Sequence, residues 1–405
     1  MDMANTVFMF VATVLVWLMT PALALFYGGL VRSKNVLSTT MHSFTTMAIV
    51  SIIWIIVGFS LAFSPGNGII GGLDYFGLNN VGFDPNADSG HTIPFNLFMM
   101  FQMTFAILTT AIVSGAYAER IRFPAFILFT VLWVLIVYSP LAHWVWGGGW
   151  IAEMGALDFA GGNVVHISSG LAGLVVAIVI GKRKNAGSTA PHNLIFTLIG
   201  GALLWFGWFG FNVGSELAFD DVAMYAFINT NTAAAAGVLG WMIIEWIINK
   251  KPTLLGAVSG AIAGLVAITP AAGFVSPLAS IPIGLIGGIV CFWGVGWLKQ
   301  KLGYDDALDA FGLHAVGGTW GGIATGLFAS DSINAIVEHN GLFYGGGIDL
   351  LWRQVVAIIA TFAFVGVVTF ILISIVNLIF KARATEEEEA KGLDLTMHGE
   401  RAYQD

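Results

Sequence analysis

The sequence predicts an all-α polytopic membrane protein: eleven transmembrane helices, built as inverted five-helix repeats plus a final helix, with the N-terminus outside and the C-terminus in the cytoplasm. Three observations predict it. Apolar runs of roughly 20 residues, long enough as helices to cross a hydrocarbon core of about 30 Å, recur along nearly the whole chain. Basic residues gather at alternate connections. Histidines stand at matching places in the fifth and tenth runs.

Composition agrees with the first point. The 405 residues are 57% hydrophobic and 10% charged, where soluble domains carry about 25% charged residues, and mean hydropathy is +0.84. The single Cys291 excludes an internal disulfide framework and a thiol metal cluster. Net charge is -8, but the acids sit in connections and one terminal run, so the sum says little about partners. "MDMANTVFMF" has an acid and no basic region before its apolar run, which argues against a cleaved signal peptide and for a retained first helix.

Breaks at charge, Pro and Gly bound spans near 7–30, 44–64, 93–118, 122–142, 163–181, 193–213, 222–249, 254–272, 280–298, 310–329 and 351–380. Arg32 and Lys34 follow the first, Arg120 and Arg122 the third, and Lys182, Arg183 and Lys184 the fifth. Lys250 and Lys251 follow the seventh, Lys299 and Lys301 the ninth, and Lys381, Arg383, Lys391 and Arg401 the eleventh. The even connections carry Asp74, Asp84, Asp88, Glu153, Asp158, Glu216, Asp220, Asp221, Asp331, Glu338 and Asp349, with Arg353 alone of the basic residues, at the mouth of the last span. A wrong span count would scramble this alternation, and the positive-inside rule puts the basic side in the cytoplasm. The chain divides into a membrane domain, 1–380, and a cytoplasmic tail, 381–405, whose polar composition and four consecutive glutamates read as a solvated segment.

Five spans per half is odd, so spans 1–5 and 6–10 are repeats only if inverted. Span 5 then corresponds to span 10. "DFAGGNVVHISSGLAG" offers Asp158 and His166; "DAFGLHAVGGTWGGIATG" offers Asp309 and His314. Each half supplies an acid, a histidine and small residues that allow close helix packing. Ionisable groups inside a bilayer are costly and usually face a pathway. Metal ligation is disfavoured, because no Cys, Asp or Glu lies within helical reach of either histidine on the same face. Two imidazoles sharing one proton in an apolar lumen fit better.

Aromatic groups cluster at three places. "FQMTFAI" sets Phe101 and Phe105 on one helix face; "LAHWVWGGGW" supplies Trp144, Trp146 and Trp150; "WFGWFGFNVGSE" supplies Trp208, Phe211, Asn212 and Ser215. Each cluster reads either as an interfacial aromatic belt or as a cation site in which ring faces attract a charge and a hydroxyl accepts its N–H. An outer aromatic site leading to a histidine-lined lumen suits a small cation with protons to lose.

"ALFYGGLVRSKNVLS", "FQMTFAILTTAIVSGAYAERIRF", "DFAGGNVVHISSGLAGLV", "WFGWFGFNVGS", "DDALDAFGLHAVGGTWGGIATGLFA" and "GLDLTMHGERAY" together resemble the ammonium transporter family (Amt/Mep/Rh) of bacteria and archaea. The resemblance implies a homotrimer in membrane lipid, with a pore through each subunit. It implies that Phe105, Trp146 and Ser215 form an external ammonium site, that Phe105 and Phe211 close the pore beneath it, and that Asp158 orders the mouth and favours deprotonation. His166 and His314 are then the twin histidines of the lumen and its proton relay, with Trp208, Asn212, Thr269 and Asp309 on or near it. The tail, with basic loops near Lys182 and Lys251, would dock a PII signalling protein. No cofactor, metal or nucleic-acid partner is expected.

These readings favour ammonium transport across the cell membrane: NH4+ is bound, loses its proton near the mouth and crosses as NH3 while a relay returns the proton. Alternatives are a passive NH3 or CO2 channel and an ammonium sensor signalling through PII. An enzyme fits least, since no nucleophile, metal set or phosphate loop stands out.

Overall fold

A computed structural model describes residues 1–86, 90–184 and 190–403; Asp88 and the last two residues of the tail lie outside them. Polar caps and prolines set where the helices begin. Asp2 accepts the Asn5 amide at the start of α1 (Met3–Leu30), Asp220 the Ala223 amide at the start of α7 (Asp221–Asn249), and Thr253 the Gly256 amide at the start of α8 (Leu254–Ile268). Between these stand α2 (Ser33–Phe63), α3 (Phe95–Val113), α4 (Phe123–Glu153), α5 (Gly162–Ile180) and α6 (Leu194–Glu216). After them come α9 (Pro277–Leu302), α10 (Val316–Phe328) and α11 (Asp349–Phe380). Among the described residues the fold is helical, with two isolated bridges and no strand.

Nine of the described helices are long and apolar enough to cross a membrane. The two expected spans outside that set are α8, of 15 residues, and α10, of 13, which a widened turn at Phe311–Ala315 extends. The second span starts well before residue 44, because the hydroxyls of "VLSTTMHS" fold back onto helix carbonyls: Thr39 Oγ1 donates to Asn35 O at 2.8 Å and Thr40 Oγ1 to Leu37 O.

Helices at equivalent places in the two halves pack on each other. α1 lies along α6, where a Cβ on Gly200 would sit 2.3 Å from Phe26 N and one on Gly210 2.6 Å from Ala12 O. α5 meets α10 antiparallel, the early part of each against the middle of the other. Gly170, four residues after His166, abuts Ala315 and Ala310; Gly318, four after His314, abuts Ile167 and Gly162. These contacts exchange under a two-fold operation, as an inverted repeat requires.

The tail is ordered against the body rather than solvated. It forms α12 (Glu386–Lys391), opened by a Thr385–Glu388 capping box, and α13 (Leu393–His398). Asp394 accepts the Leu37 and Ser38 amides at 3.0 and 2.7 Å, capping α2, while Lys34 Nζ donates to the Glu389 and Ala390 carbonyls at 3.0 and 2.6 Å. Composition could not reveal this, since acids of the tail find partners distant in sequence: Glu388 in Arg122 and Glu389 in the Lys184 amide, beside its local pair with Arg383. Beneath it Glu119 accepts from Arg32 Nε, Asn35 Nδ2 and Arg183 Nη1 at 2.9, 2.9 and 2.8 Å. Burial alone would raise the Glu119 carboxyl, but Arg32 and Asn35 hold it down to about 2.

Candidate functional site

The site is built on two broken helix starts. Asp158 is nearly buried, and its carboxylate accepts the Gly161, Gly162 and Asn163 amides, with 2.9 Å to Gly161 and 2.8 Å to Asn163. Those amides are the donors a helix N-terminus leaves unpaired, so Asp158 fixes where α5 begins. Gly161 sits there at φ +117°, and a Cβ on it would press on Val165 and on the Trp146 ring. The next turn, Gly162–Ile167, is widened, as is Phe311–Ala315 in the other half. Such turns re-aim side chains. One carries His166 and the other His314.

The acid equivalent to Asp158 is Asp306, not Asp309. Asp306 lies eight residues before His314, as Asp158 lies eight before His166, and it accepts the Ala310 and Phe311 amides at 3.1 and 2.7 Å. Asp309 occupies the place of Gly161, five residues before the histidine, with φ +61°, and its side chain pairs with Lys299 Nζ at 2.7 Å. Sequence reasoning missed Asp306 by taking the acid nearest the histidine. The shared eight-residue offset was the signal.

The two imidazoles meet at the centre. His166 Nδ1 lies 3.2 Å from His314 Nδ1, with ring centroids 5.3 Å apart. Thr269 determines which ring holds the shared proton. Its Oγ1 donates to Leu265 O at 2.7 Å and accepts from Trp208 Nε1 at 3.0 Å, while His166 Nε2 lies 3.3 Å away. A hydroxyl has one proton and two lone pairs. With the proton given to Leu265, His166 must donate from Nε2, which leaves its Nδ1 bare to accept from His314 Nδ1–H. The remaining nitrogen of a neutral His314, Nε2, is then a free acceptor.

A line of rings leads to this pair. Phe105 and Phe211 stack at 4.2 Å and 19°, both buried; Phe211 lies 6.0 Å from the His166 ring, and Trp208 stacks on His166 at 5.4 Å. Trp146 stands edge-on to Phe105 at 5.9 Å, and its Nε1 donates to the Asp158 carbonyl at 2.9 Å. Phe101 packs edge-on to Phe105 at 4.8 Å. Ser215 is half-buried one turn beyond Phe211, whose carbonyl accepts its hydroxyl at 2.8 Å. Asn212 is buried and donates to Thr230 Oγ1 at 3.1 Å. The structure thus joins Phe101, Phe105, Trp146, Phe211, Trp208, Thr269, His166 and His314, with Ser215 beside them through Phe211.

Past the histidines a narrow apolar cavity runs between Leu23, Tyr27, Leu108, Ile112, Trp208 and His314. Phe26 and Leu313 also border a wider cavity on the tail side that holds Asp309, Trp241 and Glu245. Aliphatic lining residues could not be separated by sequence from the other apolar residues of their spans. Among the described residues no group of three His, Cys, Asp or Glu could hold a metal ion.

Fold and site together define a multi-pass, all-helical membrane protein whose bundle encloses a line of aromatic and imidazole rings. The chain belongs to the Ammonium Transporter Family, whose model matches residues 7–403. It is 72% identical over 405 residues to an ammonium transporter of Bacillus subtilis, covering 100% of both chains. The crystal structure of Saccharomyces cerevisiae Mep2 superposes with a TM-score of 0.89 at 39% identity, over 96% of this chain and 88% of that one. A structure titled Sensor Amt Protein gives 0.89 at 31% identity, over 98% of each. The family is one of transporters, not enzymes.

Proposed function

We propose that this chain transports ammonium across the cell membrane: NH4+ is held at an outer aromatic site by Phe105, Trp146 and Ser215, gives up its proton, and crosses as NH3 along the histidine pair. The observation that carries this reading is the closed stack of Phe105 on Phe211 directly above His166. A charge entering that dry stack loses its hydration, whereas neutral NH3 pays far less. Ring faces and the Ser215 hydroxyl favour the cation outside the stack. Below it, the bare His314 Nε2 accepts an N–H from NH3, and the imidazole pair provides a route for the returning proton. Asp158 acts by fixing the start of α5 and lending its carbonyl to Trp146.

In this reading α1 to α11 all cross the membrane, the tail side is cytoplasmic, three copies assemble in the bilayer, and PII docks on the tail and the adjoining basic loops. The support is the alternation of basic and acidic connections and the docking of the tail on Lys34, Arg122 and Lys184, all on the basic side. Methylammonium uptake by proteoliposomes, competed by ammonium, tests the reading. Saturable uptake that weakens in Trp146→Leu and Ser215→Ala is expected, and uptake that neither ammonium nor these substitutions affects contradicts it.

A further inference from the structure

His143 lies outside the ring line, near the end of the helical run Ser139–Trp146 that carries Trp146, and is 2% exposed. Both its nitrogens face backbone carbonyls: Nδ1 lies 2.9 Å from Ala62 O and Nε2 2.8 Å from Asn67 O. A carbonyl can only accept, and a neutral imidazole has one N–H. In either neutral tautomer, one carbonyl would therefore face a bare nitrogen lone pair at hydrogen-bond distance. Only the imidazolium satisfies both.

The surroundings suit a cation. His143 occupies the last turn of its helical run, where unpaired carbonyls make the end partly negative. Ala62 O belongs to the closing turn of α2, whose neighbouring carbonyls already have donors, Ser60 O from the Ser64 amide and Leu61 O from the Gly71 amide. Gly147 permits the approach, since a Cβ there would fall 2.0 Å from Ala62 O and 2.7 Å from His143 Nδ1. The charged groups on the packed elements are Asp74, held by Ser64 Oγ at 2.7 Å, and Glu153; among the described residues neither forms an ion pair with His143. The two carbonyl dipoles are thus its counter-charge.

We infer that His143 is a doubly protonated positioning residue that clamps the 64–72 connection onto the mouth of the pore. Three successive carbonyls of that connection are gripped from α4: Asn67 O by His143 Nε2, Gly68 O by the Trp150 amide at 3.0 Å, and Ile69 O by Trp144 Nε1 at 2.8 Å. Trp146 stands between these anchors in sequence. The clamp therefore sets the pose of the tryptophan beside Phe105, and its relevance to transport rests on the function proposed above.

Nitrogen NMR of 15N-histidine-labelled protein in lipid bilayers, with His143→Asn as the subtraction reference, reads the charge state directly. Two protonated ring nitrogens at neutral pH are expected, and one protonated with one bare nitrogen overturns the inference. If His143→Asn does not fold, His143→Gln supplies the reference. The positioning role is read in the same bilayers by methylammonium binding, which should weaken about tenfold in the variant through loss of one charge-assisted hydrogen bond. Unchanged binding overturns that role. Because the NMR signal needs no transport, failure of the ammonium reading leaves the charge-state result intact and is recognised by wild type that binds no methylammonium.

Discussion

The Nδ1 atoms of His166 and His314 face each other at 3.2 Å, and Thr269 sets the direction of the proton between them. Two otherwise similar rings thereby become unequal. His166 is saturated by protein partners, and His314 retains the free acceptor.

Thr269→Val tests that asymmetry. The change keeps the shape but leaves the buried Trp208 and His166 N–H groups without their shared acceptor, at a cost of about 1–3 kcal/mol for each orphaned donor. Methylammonium uptake should fall about tenfold or more, and Thr269→Ser should restore most of it. Equal activity in all three proteins would show that the hydroxyl does not direct the pair.

Thermal unfolding in detergent separates the two acids before His314. Asp306→Asn puts an amide donor against one of the Ala310 and Phe311 N–H groups and should cost about 1–2 kcal/mol, with Asp158→Asn similar. Asp309→Asn breaks only the partly exposed Lys299 pair and should cost less than about 1 kcal/mol. The opposite order would remove the equivalence of Asp158 with Asp306.

Acid should release the tail. The Glu119 carboxyl is lowered from 4.5 to about 2, so its contribution is fully present above about 4.5 and is lost as pH falls through 2. Limited proteolysis at the tail should find protection at neutral pH and progressive exposure below about pH 4.5. In Glu119→Gln, which loses its charged contacts to Arg32 and Arg183, exposure should already appear at pH 7.

Phe211→Leu probes the gate. Removing the stacked ring at 4.2 Å from Phe105 opens the dry barrier above His166, so ion selectivity should relax while the protein stays folded. Potassium flux into proteoliposomes measures it, and flux as low as in wild type would place the barrier elsewhere.

Much of this site was legible in the sequence because the bilayer makes polar residues conspicuous. His166 and His314 stand out in apolar runs, and inversion pairs them. Phe101 and Phe105 share a face by helical spacing alone. Other features depend on chain geometry that periodicity does not carry. Asp306 was overlooked because Asp309 lies nearer to His314, and the helix-start amides that Asp306 accepts and the Gly161-like backbone at Asp309 emerge only in the fold. The early start of α2 was hidden by the hydroxyls of Thr39 and Thr40, which read as polar but bond within the helix. The tail looked solvated because Asp394 finds its donors, and Glu389 one of its two, more than 200 residues away in sequence.

The most direct test of the account is the current on a solid-supported membrane when ammonium is pulsed onto proteoliposomes containing wild type or the His166→Ala and His314→Ala variants. Deprotonation at the mouth with a relay through the histidine pair predicts a saturable wild-type current that either substitution abolishes or converts to poorly selective cation flux. Wild-type uptake without current, or variants with unchanged saturable current and ion selectivity, would contradict it.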